Sequence, residues 1–192
     1  EYKSTNCKML LVSGCLAQRF STELITEIPE IDAIIGTGSW QKIREAIERI
    51  DNGEKHVMIL DELTNLYTED MPRVLTTPSY TAYVKVAEGC SNRCAYCVIP
   101  SVRGDFRSRP MESIIAEAKN LAEQGVREIN LIAQDTTNYG TDLYGERRIT
   151  ALLRELVKNK KIAWIRLLYC YPHNFTDDLI ELMATEPKIC SY

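Results

Sequence analysis

The chain has 192 residues, of which 45% are apolar and 26% are charged, and its formal net charge is −4 at pH 7. A chain of this size and composition can bury the core of one or two domains. It has no run of 18 apolar residues, and its seven cysteines are odd in number and unevenly spaced, so we expect a cytoplasmic protein rather than a membrane-spanning or disulfide-stapled one.

The first predicted elements alternate between strand and helix. "KMLLVSG" is predicted as a buried strand, and "LAQRFSTELITEI" as the helix that follows it. "IDAIIG" repeats the strand and "SWQKIREAIERI" repeats the helix, with Ser39 as a candidate N-cap. This β-α-β-α order predicts a parallel sheet in an α/β domain.

An acidic segment without a sustained helical or strand period separates two parts of the chain. Up to position 78 there are 8 basic and 13 acidic residues, a net of −5, whereas 15 basic and 14 acidic residues beyond it give +1. We therefore predict one domain over residues 1–52, a linker over 53–79, and a second domain over 80–192.

The second part repeats the alternation with clearer helix boundaries. Its predicted strands and helices are, in chain order, "YVKVAEG", "PMESIIAEAKNLAEQG", "REINLIA", "ITALLRELVKNK", "AWIRLLYC" and "TDDLIELMATE". Repeated strand-helix units predict an α/β barrel or a part of one, in which chemistry lies at the carboxyl ends of the strands. Cys90 stands there, just after the first of these strands.

Three cysteines within eight positions, Cys90, Cys94 and Cys97, are the strongest chemical signal. Gly89 lets the chain turn sharply, and the spacing lets one loop wrap three sulfurs around one inorganic centre. A 4Fe-4S cluster normally takes four protein ligands, so three leave one iron open for a small molecule such as S-adenosylmethionine. Zinc with one further ligand is the alternative, although His56 and His173 are both distant in sequence.

"GCSNRCAYCVIPSVRG" resembles the signature of the radical S-adenosylmethionine (SAM) enzymes, three cysteines with an aromatic residue, here Tyr96, before the last. "IPSVRGDFRSRP" narrows the resemblance to the methylthiotransferases. Over nearly the whole chain, segments such as "TPSYTAYVKVAEGC", "LIAQDTTNYG" and "WIRLLYCYP" are most similar to the RimO type, whereas the tRNA-modifying MiaB type typically has "GQNVNSYG" in place of "AQDTTNYG".

The resemblance implies a fold, a reaction and two kinds of cofactor, 4Fe-4S clusters and SAM. The fold is the carboxyl-terminal part of an α/β methylthiotransferase domain followed by the first strands and helices of a radical SAM partial barrel. The reduced Cys90, Cys94 and Cys97 cluster cleaves SAM to a 5'-deoxyadenosyl radical, which takes hydrogen from the β-carbon of an aspartate in a small-subunit ribosomal protein. A second 4Fe-4S cluster then delivers sulfur, and another SAM supplies the methyl group.

Further site residues follow from the resemblance and from strand ends. "LVSGCLAQRF" resembles the segment that supplies the third ligand of the second cluster, so Cys15 is that ligand and its partners lie upstream of residue 1. By the same resemblance, the neighbourhood of Tyr96 contacts the adenine of SAM. Gln134 and Asp135 end the second barrel strand, where polar residues bind cofactor or substrate.

Three arginines, Arg103, Arg107 and Arg109, share the cysteine loop. Either they form a solvated or ion-paired loop, or they bind a carboxylate or phosphate, and Arg107 is our candidate for a cofactor contact. The remaining cysteines and the two histidines are predicted to be core or loop residues: Cys7, Cys170, Cys190, His56 and His173.

Two rival functions remain. One is a tRNA adenosine methylthiotransferase, against which the negative net charge argues because phosphate binding needs a basic surface; the other is a non-catalytic zinc-binding module. The sequence does not specify the electron donor or the sulfur source. Because it starts without methionine and ends at the strand-like "KICSY", we expect a fragment of a longer protein that is inactive alone.

Overall fold

The structure is a computed structural model that describes residues 2–192, and the chain divides into two units. The first unit combines the residues up to Asn65 with Asn92–Gly104, and the second combines Leu66–Ser91 with Asp105–Tyr192. In the part of the chain that the structure describes, every helix is too short or too polar to cross a membrane.

The first unit is built on a three-stranded parallel sheet in the order β1-β2-β3. Its elements are β1 (Leu11–Ser13), α1 (Cys15–Arg19), α2 (Ser21–Glu27), β2 (Ala33–Ile35), α3 (Ile43–Asp51), β3 (Val57–Ile59) and α4 (Ile99–Arg103). The predicted alternation of strand and helix around a parallel sheet is therefore confirmed for this part of the chain.

The central strand β2 is buried on both faces, which explains why its sequence is apolar without alternation. Ala33 and Ile35 pack with Ala46 of α3 in one cluster. Ile34, which points to the opposite face, packs with Ala17 of α1 in another. One strand thus joins two small cores.

Two details of the predicted helices are wrong. The first is split where Phe20 leaves the helical conformation (φ −125°) between α1 and α2. Ser39 is not a side-chain cap, because its buried Oγ accepts a hydrogen bond from the Asp61 N–H at 2.7 Å. A 3-10 turn, Trp40–Lys42, follows Ser39, and α3 begins only at Ile43.

The segment predicted as a linker, residues 53–79, carries structure in two places. It contains β3, whose three residues are too few to show a strand period. Its later part is fastened to the second unit, since Arg73 Nη1 lies 2.5 Å from Glu117 Oε1 and Leu75 packs against the second unit's core. This segment is held in place by contacts with residues far away in the sequence. No local sequence pattern indicates such contacts.

The second unit contains a parallel sheet in the order β4-β7-β8. Its elements are β4 (Thr81–Lys85), β5 (Ala87–Glu88), β6 (Arg107–Ser108), α5 (Met111–Glu123), β7 (Glu128–Ile132), α6 (Thr141–Tyr144), α7 (Ile149–Leu156), β8 (Trp164–Leu167) and α8 (Asp177–Thr185). Each parallel strand lies beside the one before it, and Ile189 continues the series with a parallel bridge to Ile165. This stepwise order is that of a barrel.

The two faces of this sheet differ in chemistry. Ile129 and Leu131 of β7 pack into the helix-covered core. Between them, Asn130 points to the other face, where it is in register with Tyr83 of β4 and Arg166 of β8. The face that a barrel would enclose is therefore polar, and the carboxyl ends of its strands lead to the candidate site.

Candidate functional site

Cys90 lies in the second unit, just beyond the carboxyl end of β4 and the short strand β5. Gly89, which precedes it, has φ +75°, a conformation that favours glycine and turns the chain as the sequence predicted. Cys90 is 9% exposed. The backbone therefore holds the first thiol of the motif in a largely buried position at the edge where barrel chemistry occurs.

Cys94 and Cys97 belong to the first unit, in a loop that precedes α4. They are half-buried, whereas the other residues of 91–98 are exposed, including Tyr96 at 93%. A single turn joins them, in which the Cys97 N–H donates to the Cys94 carbonyl at 2.9 Å. Tyr96, whose neighbourhood the resemblance assigns to the adenine, is thus open to solvent.

None of the seven cysteines is in a disulfide bond. Among residues 2–192, no three side chains of His, Cys, Asp or Glu form a group that could hold a metal ion. The chemistry of the motif's three thiols nevertheless fits a cluster with three protein ligands, because three sulfurs lie on one loop within eight positions.

Cys15 begins α1 at the carboxyl end of β1, directly after Gly14 with φ +111°. In the same unit, α1 packs against α4, the helix that follows Cys97. Thr37 connects the two helices: its N–H donates to Gln18 Oε1 of α1 at 3.0 Å, and its Oγ1 donates to the Val102 carbonyl of α4. The helix carrying Cys15 and the one after the cysteine loop are therefore tied together.

Gln134 and Asp135 are adjacent, but their side chains have different surroundings. Gln134 lies two residues beyond the end of β7, and its Oε1 is buried without a hydrogen-bond partner among the described residues. A buried amide oxygen without a partner is costly, so it is a candidate to accept a hydrogen bond from a ligand.

Asp135 is buried, and both of its carboxylate oxygens already accept hydrogen bonds. Thr137 Oγ1 donates to Oδ1 at 2.7 Å, and Asn174 Nδ2 donates to Oδ2 at 3.0 Å. Arg147 Nη2 in turn donates to Asn174 Oδ1 at 2.7 Å. These bonds favour a role in joining the loops after β7 and β8 over the direct ligand contact that the sequence suggested.

Sequence reasoning missed Thr137, Asn174 and Arg147 as members of this group. The available signal was weak: polar residues follow the ends of two neighbouring parallel strands, where loops meet. Nothing in the local pattern specified which of them would be buried.

The three arginines of the loop have separate environments. Arg109 is 1% exposed: its Nη1 lies 2.5 Å from Glu117 Oε2 and donates to the Lys85 carbonyl at 2.8 Å. Arg109 therefore forms an internal ion pair with Glu117, which agrees with the alternative prediction that the arginines of this loop are ion-paired. Arg103 ends α4 in the first unit.

Arg107 remains the candidate for an anion. It is half-buried on β6, and burial lowers the pKa of its guanidinium, while the nearby charges of Glu88, Asp105 and Asp142 oppose that shift. Its Nη1 donates to the Asp105 carbonyl at 2.6 Å, and a carboxylate or phosphate ligand would be a further partner for this cation.

Cys170 is 8% exposed beyond the end of β8, and burial, with a further contribution from Asp135, raises the pKa of its thiol to about 12. It is therefore protonated at neutral pH, as expected of a packed side chain rather than a metal-binding thiolate. The Cys190 N–H donates to the Ile165 carbonyl at 2.9 Å, so Cys190 lies beside β8, where a further strand would pair.

A family model described as the radical SAM superfamily matches residues 84–189. The chain is 58% identical over its whole length to the ribosomal protein uS12 methylthiotransferase RimO of Desulforamulus reducens, of which it covers 44%. It is 53% identical to the protein of the same name from Clostridioides difficile, over 99% of the chain and 43% of that relative. The chain thus spans less than half the length of these relatives.

Among solved structures, the radical S-adenosylmethionine methyltransferase TsrM from Kitasatospora setae, with tryptophan and a SAM analogue bound, matches with a TM-score of 0.64. The match covers 92% of this chain and 39% of that one, at 17% identity. At this identity the likeness concerns the fold alone.

Proposed function

The chain belongs to the radical SAM superfamily, and from that premise we propose that it is part of an enzyme that methylthiolates ribosomal protein uS12 on the β-carbon of an aspartate. The observation that carries this proposal is the 58% identity to a RimO protein along all of the chain. Superfamily membership alone supports radical chemistry but does not select a substrate.

We assign the cluster ligands from the loop chemistry. Cys90, Cys94 and Cys97 hold a 4Fe-4S cluster that leaves one iron open, and Cys15 contributes to a second cluster whose other ligands lie outside this chain. When bound, the first cluster supplies the electron that breaks the sulfonium bond of SAM. The structure supports the assignment through the placement of Cys90 at the carboxyl edge of a parallel sheet.

The remaining residues bind and orient the cofactor. Gln134 Oε1, buried without a partner in the described chain, accepts a hydrogen bond from the cofactor. Arg107 offers a half-buried cation to a carboxylate, and Tyr96 offers an exposed ring to the adenine. Asp135 does not contact the ligand in this proposal but fixes the loops around it. The ribosomal substrate puts the reaction in the cytoplasm.

The test is made on the full-length protein, reconstituted anaerobically with iron and sulfide and reduced. It is incubated with SAM and either uS12 or tRNA, and mass spectrometry identifies which substrate gains a methylthio group. We expect the gain on an aspartate of uS12. A gain on tRNA adenosine instead would agree with the family assignment and contradict the proposed substrate.

Metal analysis of the same preparation separates the cluster from a zinc module. We expect iron together with broad visible charge-transfer absorption. Zinc without this absorption, and without binding of SAM, would contradict the enzymatic proposal altogether.

A further inference from the structure

The chain segments that enter and leave the cysteine loop are hydrogen-bonded to each other. The Arg109 N–H donates to the Val86 carbonyl at 2.9 Å, and β5 pairs antiparallel with β6 so that Ala87 lies opposite Ser108. One step further into the loop, the Phe106 N–H donates to the Ser91 hydroxyl at 3.0 Å. Cys90 therefore lies between two paired positions, β5 on one side and Ser91 on the other.

A group of side chains fastens the returning end of the loop, and we call it the loop clamp: Ser108 and Tyr139, which are buried, and Asp142, which is exposed near the start of α6. The carboxylate of Asp142 accepts two hydrogen bonds from Ser108, from the N–H at 2.9 Å and from Oγ at 2.6 Å. Ser108 Oγ in turn accepts the Gly140 N–H at 2.9 Å. One serine is thus held by a side chain of α6 and by a backbone amide of the segment just before that helix.

Tyr139 completes the loop clamp by binding Arg109, the residue after Ser108. It is 0% exposed, and its hydroxyl donates to the Arg109 carbonyl at 2.9 Å. The Arg109 side chain is itself anchored, because Nη2 donates to Ser113 Oγ at 2.8 Å and Nη1 pairs with Glu117. Residues 108–109 are therefore attached to the core by several buried hydrogen bonds.

The middle of the loop shows the opposite character. Between Cys94 and Cys97 the side chains are exposed, and Arg93 adopts φ +48°, which is uncommon for a residue with a side chain. The base of the loop, where the first of the three thiols lies, is therefore more buried than the turn that carries the other two.

We propose that the loop clamp positions Cys90 for cluster binding before any metal arrives, so that Ser108, Tyr139 and Asp142 are positioning residues for the first thiolate ligand. The inference rests on the proposed function only in naming the metal as an iron–sulfur cluster. A preset ligand reduces the conformational entropy that is lost when the loop closes around the cluster.

The first test measures how fast Cys90 reacts with iodoacetamide in the full-length protein purified without iron. Ser108→Ala removes one buried hydrogen-bond donor and leaves the Gly140 N–H without its acceptor, so Cys90 should be alkylated about tenfold faster. Cys170 is an internal control, because it is similarly buried but follows a different strand. Peptide mass spectrometry follows both cysteines in one sample.

The comparison of the two cysteines distinguishes positioning from general loss of stability. Faster alkylation of Cys90 with an unchanged rate at Cys170 supports the proposal. An unchanged Cys90 rate, or equal acceleration of both cysteines, overturns it. If Ser108→Ala does not fold, Tyr139→Phe removes only the hydroxyl bonded to Arg109 and is judged by the same two rates.

A second readout examines the cluster itself. After anaerobic reconstitution, Asp142→Asn should alter the electron paramagnetic resonance spectrum of the reduced cluster, since one of the two bonds to Ser108 is lost and Cys90 shifts. Asp177→Asn, an exposed acidic residue at the start of α8, is the matched control and should leave the spectrum unchanged. Identical spectra for the two variants would refute the proposal. The alkylation rates do not depend on the cluster, so a failed proposed function leaves that test intact.

Discussion

Gln134 and Asp135 show how neighbouring residues acquire different roles. The first has a buried amide oxygen that the described chain leaves without a hydrogen bond, whereas the second has both carboxylate oxygens bonded. Both lie in the bend that follows β7, where the two side chains meet different groups. At this scale, the partners of each atom decide which residue remains available to a ligand.

Cys170 yields a pH prediction. Burial raises the pKa of its thiol from 9.0 to about 12, so the folded protein keeps the proton where the unfolded chain loses it. The stability contributed by the protonated thiol is fully present below pH 9 and is lost as the pH rises toward 12. The difference in unfolding free energy between the wild type and Cys170→Ala should therefore fall above pH 9, by roughly 1 kcal/mol per pH unit.

Urea denaturation of both proteins between pH 7 and 11 provides the measurement. Titrating groups common to both proteins cancel in the difference. A difference that stays flat across this range would show that the thiol is not held in its protonated form.

The short helix α6 illustrates the scale of a single element. It lies between two glycines in left-handed conformations, Gly140 at φ +97° and Gly145 at φ +76°. An added Cβ at Gly140 would lie 2.7 Å from Arg148 Cβ and 2.9 Å from the Glu146 carbonyl oxygen, whereas at Gly145 it would meet nothing within 4 Å. The two positions share a backbone conformation and differ in the space around them.

We therefore predict unequal costs for two matched substitutions. Gly145→Ala should destabilise the protein by about 1 kcal/mol, the cost of a side chain in left-handed backbone. Gly140→Ala should cost roughly 2 kcal/mol more, because Arg148 and the backbone of Glu146 must move. Chemical denaturation midpoints measure both losses of stability. Equal losses would mean that Arg148 and the backbone of Glu146 move aside without a cost in free energy.

The whole molecule combines two units whose chemistry is proposed to depend on two metal clusters. Each unit has its own parallel sheet, with two small cores in the first unit and one larger core in the second. A cysteine follows the first strand of both sheets, Cys15 after β1 and Cys90 beyond β4. Parallel sheets present ligand-binding loops at their carboxyl ends, so each unit offers one such position.

Iron content tests the assignment of Cys15. In the reconstituted full-length protein, Cys15→Ser should lower the iron bound per chain from about eight atoms to about four, since only one cluster remains. Cys7→Ser is the control and should not change the iron content, because the Cys7 thiol donates to the Met9 carbonyl at 3.1 Å instead of following a strand end. Iron loss in the control, or none in Cys15→Ser, would remove Cys15 from the ligand set.

The sequence by itself determined the alternation of strands and helices, the cysteine spacing and the resemblance to radical SAM enzymes. These features are local, because periodicity and spacing are expressed within a few residues of the chain. It failed where the pattern was too short, as for β3, or where a polar residue had an unforeseen partner, as for Ser39.

Only the tertiary structure decided which distant side chains meet. Asn174 bonds to Asp135 across 39 positions and Ser108 to Asp142 across 34. A hydrogen bond requires its donor and acceptor to lie within about 3 Å of each other, and folding, not sequence separation, brings them there. For that reason, the ion pair of Arg109 with Glu117 and the contacts within the loop clamp are visible only in the tertiary structure.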